Sequence, residues 1–221
     1  MRLTHSYSSI KLFENCPKRY ELQRIQKVLI DEGGEASIYG DRVHKSLETR
    51  LKEDTDLPQE LGRYEELCRA VEKLVSLGGE LHIEKELVLN DNLLPTGWWD
   101  ADAWLRSKLD VLVLNGNTAV VMDWKTGKRR PDFFQMAVFA VQVFKHYPEV
   151  TRVKTSLVWL KDMAMDTEIY RREEANSLWA DIMSRIKRIH LAQENDTWPA
   201  KPSGLCNYCP AKAQGLCEFA R

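Results

Sequence analysis

The chain has 221 residues, a hydrophobic content of 43%, a charged content of 29% and a formal net charge of −1. These values are typical of a soluble globular protein with one domain, or with one domain and a small appended lobe. No apolar run approaches the ~20 residues of a membrane span, and the first residues lack the charged-then-apolar layout of a signal peptide. We therefore expect a cytoplasmic protein without membrane contact, in which any binding of anions depends on local basic clusters.

The first 80 residues are predicted to be mainly helical. Apolar positions spaced three or four apart predict helices over 6–29, 39–52 and 61–77, the first of them capped by a serine. A glycine-containing loop is expected over 31–36, and Gly78-Gly79 ends the third helix. These helices form the N-terminal part of the predicted fold.

Strands dominate the middle of the chain, from 81 to 170. Alternating or continuous apolar runs predict strands over 81–89, 108–114, 118–125, 153–160 and 166–170. Residues 132–146 read as a covered helix, which makes strand 153–160 the parallel neighbour of strand 118–125 through a right-handed crossover. A long helix over 175–193 and a cysteine-rich tail complete residues 171–221, so the fold class is α/β with a small mixed sheet flanked by helices.

The hairpin within residues 108–128 carries the clearest chemical pattern. Gly116-Asn117 suits a two-residue type II′ turn, and the register that this turn sets places Asp110 directly opposite Asp123. Side chains alternate along a strand, so Lys125 shares the face of Asp123. Two carboxylates and one ammonium are therefore expected on one patch of the sheet.

Like charges placed opposite each other destabilise a sheet, so this arrangement needs an explanation. Mg²⁺ or Mn²⁺ supplies one, because such an ion binds through one or two carboxylates and keeps water ligands for chemistry. Lys125 would then stabilise developing negative charge. The alternative is a surface hairpin in which Asp123 pairs with Lys125 or Arg129, and a register slip of one residue would also separate the two aspartates.

An Asp followed by Asp-x-Lys on an apolar strand resembles the PD-(D/E)xK nuclease superfamily, with Asp123-Trp124-Lys125 as its D-x-K. The proline of the family name is absent near Asp110. The resemblance implies a restriction-endonuclease-like core, here with the N-terminal helical part and a C-terminal cysteine-rich clamp, spanning 1–221 as a single nuclease domain. Within it, residues 1–80 are mainly helical and residues 81–170 hold the catalytic sheet and crossover helix.

The RecB-like branch of this superfamily, which includes CRISPR-associated type-four exonucleases and phage proteins, adds further site residues. Its helical histidine corresponds to His44 in GDRVH, which with the two aspartates would ligate the metal ion. Its strand glutamate corresponds to Glu84, with Glu86 as a rival. Its Gln-x-x-x-Tyr motif corresponds to Gln135, but Phe139 replaces the tyrosine, so only the glutamine is carried over.

Local clusters supply candidate contacts to DNA. Lys128, Arg129 and Arg130 follow the acidic pair directly, and their alternative role is that of a solvated surface. Trp98 and Trp99 lie in the loop before the hairpin, where they could stack on unpaired bases or form a hydrophobic lid on the sheet.

Five cysteines point to ligands or free thiols, because an odd number in a cytosolic chain argues against disulfides. Cys206, Cys209 and Cys217 cluster in the tail, and Cys16 could complete a four-thiolate site that clamps the tail to the first helix. Zinc and a four-iron cluster both accept four thiolates. The resemblance favours a [4Fe–4S] cluster, with zinc as the alternative occupant, while Cys68 is expected to be a buried small hydrophobe.

The resemblance further implies hydrolysis of phosphodiester bonds, with exonuclease action on single-stranded DNA in recombination, repair or CRISPR-related processing, and endonuclease action as a variant. No G-x-x-x-x-G-K-[ST] motif occurs, so unwinding would belong to a partner such as a helicase or a recombination or CRISPR protein. Two rival functions stay open at this point. One is a non-catalytic iron–sulfur DNA-binding adaptor, and the other is a zinc-stapled protein without a nucleic-acid role.

Overall fold

A computed structural model describes residues 3–219. Its helices are α1 (Tyr7–Asn15), α2 (Pro17–Tyr20), α3 (Glu35–Glu53), α4 (Glu65–Ser76), α5 (Phe133–His146), α6 (Ala175–Glu194) and α7 (Pro210–Ala213). Its strands are β1 (Glu80–Leu89), β2 (Leu105–Asn115), β3 (Thr118–Lys125), β4 (Arg152–Trp159) and β5 (Ala164–Arg171). Within residues 3–219, none of the helices combines the length and apolar character needed to cross a membrane.

The described residues form two compact units. Unit 1 comprises residues 3–4 and 34–179, and unit 2 comprises residues 5–33 and 180–219. Unit 1 holds the sheet with α3, α4 and α5, and unit 2 holds α1, α2 and α7. The expectation that the chain is a single nuclease domain stays a prediction.

The sheet of unit 1 is mixed, with the strand order β1-β2-β3-β4-β5. Its β1–β2, β2–β3 and β4–β5 pairs are antiparallel, whereas β3 and β4 are parallel. Because α5 lies between β3 and β4 in the chain, it is the predicted crossover helix. The α/β fold class is confirmed, and β2 begins three residues before the predicted strand.

Each face of the sheet is covered by its own apolar core. The α5 core contains Met136, Phe139 and Phe144 from α5 together with Val121 and Leu157 from the sheet. Phe139 is only 3% exposed, so the residue that replaces the family tyrosine contributes to packing. The opposite core, called the α3/α4 core below, joins those two helices to the other face of the sheet.

The side-chain alternation of β1 changes face within the strand. Ile83 packs in the α3/α4 core and Leu87 in the α5 core, although residues four apart in a regular strand share one face. Between them, Glu84 has φ +56°, a left-handed conformation that a residue with a Cβ seldom adopts. The left-handed residue marks the position where the strand switches faces.

A matching switch occurs in β2. Leu109 packs in the α5 core and Val111 in the α3/α4 core, although they lie only two residues apart. Asp110 lies between them. Its neighbours Leu109 and Val111 still pair with Lys85 and Ile83 of β1. The two switches therefore place Glu84 and Asp110 side by side where the strand geometry is irregular.

The predicted helix over 6–29 is wrong as one element. Cys16, at φ −161°, ends α1, and Pro17 then begins α2, which a π-helical turn continues over Glu21–Ile25. A residue before proline is driven out of the helical region, which explains the break. The loop predicted over 31–36 is also too long, because α3 already begins at Glu35.

Unit 2 packs around an aromatic group and a small apolar cluster. The rings of Tyr20 and Trp198 stack at 5.9 Å between centroids, and Phe13 meets both edge-on. Leu22 and Leu29 pack against Ala211 of α7. The two halves of this unit, though distant in sequence, thus share one core.

Candidate metal centre

Three elements of unit 1 bring potential metal ligands together. His44 from α3, Glu84 from β1 and Asp110 from β2 each offer one atom, and these atoms lie within 4.8 Å of one another. Nδ1 of His44 is 3.2 Å from Oδ1 of Asp110. Carboxylate oxygens with one imidazole suit Mg²⁺ or Mn²⁺, so the donor set fits the predicted ion.

The predicted hairpin register explains the position of Asp110. Gly116 has φ +56°, as the first residue of a type II′ turn requires, and the β2–β3 ladder continues from this turn to the pair Val111–Met122. At the next position Oδ2 of Asp110 accepts a 2.7 Å hydrogen bond from the backbone N–H of Trp124. The register is confirmed, and a side chain caps the ladder where the strands diverge.

Asp123, Lys125 and Gln135 form a second polar group. The Nζ atom of Lys125 lies 2.6 Å from Oδ2 of Asp123 and donates to Oε1 of Gln135 at 2.8 Å. The amide nitrogen of Gln135 donates to Oδ1 of Asp123 at 2.8 Å. The ion pair of the surface-hairpin alternative is therefore present, but Asp123 is only 6% exposed, which does not match a surface hairpin.

Burial and charge shift the pKa values of this site. Burial, together with the negative charge of Asp110, raises the pKa of Asp123 to about 6 against the opposing effect of Lys125. Burial lowers the pKa of His44, but the hydrogen bond and charges of Asp110, Asp123 and Glu84 outweigh it, so the pKa is raised. The raised pKa of His44 indicates excess negative potential around it, which favours a bound cation.

The three-residue group differs in one member from the predicted ligand set. Glu84 belongs to it, whereas Asp123 is held by Lys125 and Gln135 instead; ligation by Asp123 stays a prediction. The rival Glu86 is exposed and is not in the group. Lys108, which sequence reasoning missed, forms an ion pair with Glu84, and its place two residues before Asp110 could have indicated it.

An open pocket of about 550 Å³ gives access to the centre. Its walls include His44, Asp110 and Lys125, together with Gly40 one turn before the histidine. A Cβ atom at Gly40 would lie 3.1 Å from Oγ1 of Thr126, so glycine permits this close approach of α3 to the end of β3. This glycine lies in the quoted GDRVH sequence, but its role could not be seen without the structure.

The predicted DNA contacts differ in their surroundings. Lys128 and Arg130 are exposed, whereas Nε of Arg129 donates to Oδ2 of Asp166 at 2.9 Å. The indole N–H of Trp159 donates to the same oxygen at 2.7 Å. Arg129 is therefore engaged in an ion pair, and its role in DNA binding stays a prediction.

The tail cysteines and Cys16 lie in unit 2. Cys16, Cys206, Cys209 and Cys217 all line one pocket, and none forms a disulfide. Four thiols around one pocket fit a shared metal or cluster. Cys68 lies apart in the α3/α4 core, fully buried, as expected for a small hydrophobe.

Comparisons with known proteins agree with this architecture. The family model of the PD-(D/E)XK nuclease superfamily matches residues 4–217. No curated protein matches the chain. The solved structure of SSO0001 is similar, with a TM-score of 0.50 and 15% identity over 100% of this chain and 89% of the other.

A second solved structure, of a "Putative exonuclease" from Eubacterium rectale, has a TM-score of 0.54 and 16% identity. The match covers 93% of this chain and 86% of the chain from Eubacterium rectale. At these identities the likeness supports the fold alone.

Proposed function

This chain belongs to the PD-(D/E)XK nuclease superfamily, and we propose that it hydrolyses phosphodiester bonds of DNA at the centre formed by His44, Glu84 and Asp110. The observation that carries the proposal is the convergence of these three side chains within 4.8 Å beside the buried Asp123 and its ion-pair partner Lys125. The catalytic assignments of Asp110, Asp123, Lys125, Glu84 and Gln135 are part of the proposal.

The residues divide the work between binding and positioning. His44, Glu84 and Asp110, with Asp123 as the expected further ligand, would hold Mg²⁺ or Mn²⁺. The ion, when bound, polarises the scissile phosphate and lowers the pKa of a water molecule. Lys125 stabilises negative charge on the phosphate, and the Gln135 amide holds Asp123 and Lys125 in fixed orientation through two hydrogen bonds.

The preferred substrate is an end of single-stranded DNA, by analogy with the RecB-like branch. Lys128, Arg130 and Trp99 are exposed beside or near the hairpin, which suits contacts to a strand. The same analogy places the protein in phage or prokaryotic recombination, repair or CRISPR-related processing, with a helicase or recombination protein as partner. The alternative is a non-catalytic iron–sulfur adaptor of the same fold.

A [4Fe–4S] cluster is the proposed occupant of the cysteine pocket. Cys16, Cys206, Cys209 and Cys217 would supply one thiolate each, and the cluster would tie both halves of unit 2 together. Anaerobically purified protein should be brown and absorb near 400 nm. Colourless protein containing one zinc ion would assign the site to zinc.

The nuclease proposal is tested with labelled single-stranded DNA, Mn²⁺, and the variants Asp123→Ala and Asp56→Ala. The first should lose cleavage, while the second should cleave like the wild type, because Asp56 is an exposed loop residue after the end of α3 and does not line the pocket of the centre. Wild-type protein that retards the DNA on a gel but leaves it intact would contradict the proposal and favour the adaptor.

A further inference from the structure

The loop between β1 and β2 presents two neighbouring indoles to solvent beside an arginine. Trp99 is 86% exposed, which is unusual for a side chain of that apolar area, and Trp98 is half-buried. The guanidinium carbon of Arg106 lies 5.3 Å from the ring centroid of Trp98 and 5.8 Å from that of Trp99. We infer that these three residues form a subsite for unpaired bases of the substrate strand, called the base-stacking subsite below.

The terminal N–H groups of Arg106 remain for a ligand, because the side chain is only half-buried. Its Nε atom has no hydrogen-bond partner within the described residues, but it is buried and out of a ligand's reach. Contact with two ring faces orients the guanidinium without using its N–H groups, because the attraction is between the cation and the π-systems. A phosphate oxygen or a base carbonyl would satisfy these donors, and an aromatic face beside them accepts any base.

The subsite lies in line with the metal centre. Along β2, residues 105, 107 and 109 are buried, whereas Arg106, Lys108 and Asp110 alternate with them on the accessible face. At about 3.3 Å per residue, Arg106 and Asp110 are roughly 13 Å apart along the strand. Even a fully stacked DNA strand, with a rise of about 3.4 Å, spans this distance in about four nucleotides.

This geometry selects the substrate class. Stacking on Trp99 needs a base whose face is free, and the paired bases of a duplex interior have none. A strand whose phosphate reaches Asp110 while its base reaches Trp99 must therefore be unpaired over up to about four nucleotides. The inference rests on the proposed nuclease function for the position of the scissile phosphate, but binding at the subsite can be measured without cleavage.

The test measures the affinity for a fluorescein-labelled oligothymidylate in EDTA, which prevents cleavage. Trp99→Ala should weaken binding roughly 5- to 150-fold, the range that corresponds to about 1–3 kcal/mol for one stacked base. Trp99→Phe should retain most of the affinity. Leu94→Ala is the matched control, because Leu94 is 58% exposed in the same loop and lacks a ring.

Arg106→Lys provides a second variant, since lysine keeps the charge but loses the planar group that faces both rings. It should weaken binding of the oligonucleotide as well. A relaxed, covalently closed duplex circle has no terminal base pair and so no free base face; it should bind equally to wild type, Trp99→Ala and Arg106→Lys.

Unchanged oligothymidylate affinity in Trp99→Ala would overturn the inference, and so would an equal loss for the closed duplex circle, which would indicate a general phosphate contact. Cleavage measured in parallel with Mn²⁺ separates the two proposals. Protein that binds through Trp99 but never cleaves would refute the nuclease function and retain the subsite. Normal cleavage by the wild type, with the same oligothymidylate affinity in Trp99→Ala, would refute the subsite and retain the nuclease function.

Discussion

Lys125 is the cation nearest to the buried Asp123, at 2.6 Å, and its ammonium also contacts Gln135. Replacing it by methionine removes the charge while keeping an unbranched side chain that is only one atom shorter. We expect Lys125→Met to lower the rate of Mn²⁺-dependent cleavage by about 10²–10³-fold, the effect of removing one electrostatic contact to a transition state. Single-turnover cleavage of labelled DNA measures this rate.

The matched control is Lys128→Met, three residues on, where the side chain is exposed. It should weaken DNA binding slightly and leave the single-turnover rate at saturating protein unchanged. Equal rate losses in the two variants would show that Lys125 acts through general attraction for DNA and not at the reacting phosphate.

His5 in unit 2 makes stability depend on pH. It is fully buried, with Nε2 3.1 Å from Nε2 of His190. Burial, with the charges of His190 and Arg24, lowers its pKa from 6.5 to about 3. The unfolded chain therefore binds a proton at His5 between pH 6.5 and 3 that the folded chain does not, and the free energy of unfolding falls as the pH is lowered through this window.

The loss in the free energy of unfolding that His5 causes has an upper limit of about 1.4 kcal/mol per pH unit. Urea unfolding at pH 7 and pH 5 should show a smaller loss in His5→Leu than in the wild type, because leucine does not titrate. Carboxylates elsewhere titrate equally in both proteins and cancel in the comparison. An identical pH dependence would mean that His5 is protonated in the folded protein.

At the scale of the element, the switch in β1 makes a prediction about Glu84. Its φ of +56° favours glycine over any residue with a Cβ, by about 1–2 kcal/mol. Glu84→Gly and Glu84→Ala both remove the carboxylate and its ion pair with Lys108, so they differ in one methyl group and in the backbone conformations that it disfavours. The glycine variant should have the higher midpoint of thermal unfolding.

Both Glu84 variants should bind Mn²⁺ more weakly than the wild type, measured by calorimetry, because one of the three converging ligands is gone. A glycine variant that is no more stable than the alanine variant would show that the left-handed conformation is not strained. Unchanged Mn²⁺ affinity in both would remove Glu84 from the metal centre.

Much of this sheet could be predicted from the sequence, because its signals are local. The Gly116-Asn117 turn sets the hairpin register, and a covered helix between two apolar strands implies a parallel crossover. Both were confirmed. The face switch at Glu84 could not be predicted, since reading alternation assumes a uniform strand, and the irregularity depends on packing against two different cores.

The sequence predicted which residues would form the candidate site, but not the hydrogen bonds that connect them. Asp110, His44 and Glu84 were named from the hairpin register and the resemblance, and the structure places them together. The bridge from Gln135 to Asp123 and Lys125 depends on how α5 packs on the sheet, which the order of residues does not give. Arg106 was missed because a lone arginine in a strand has no motif.

At the scale of the whole molecule, the proposed cluster predicts where cysteine variants act. Cys209→Ser should abolish the brown colour and speed hydrogen exchange of the amides in 5–33 and 180–219, because the proposed clamp joins these segments. Amides of the sheet should exchange as before. Cys68→Ala is the control; it should keep the colour, and its exchange should change in unit 1 alone.

The division of the chain into units has a consequence for biosynthesis. Within the described residues, Leu22 and Leu29 pack against Ala211 and its neighbours near the end of the chain, whereas residues 34–179 form a unit that is contiguous in sequence, which we expect to fold before Ala211 is made. At about 5–20 residues per second, the N-terminal helices wait roughly 10–40 s for that partner, with apolar side chains and a free thiol exposed. Slowed translation would lengthen this interval, so we expect residues 5–33, and not the sheet of unit 1, to be the segment that most needs a chaperone.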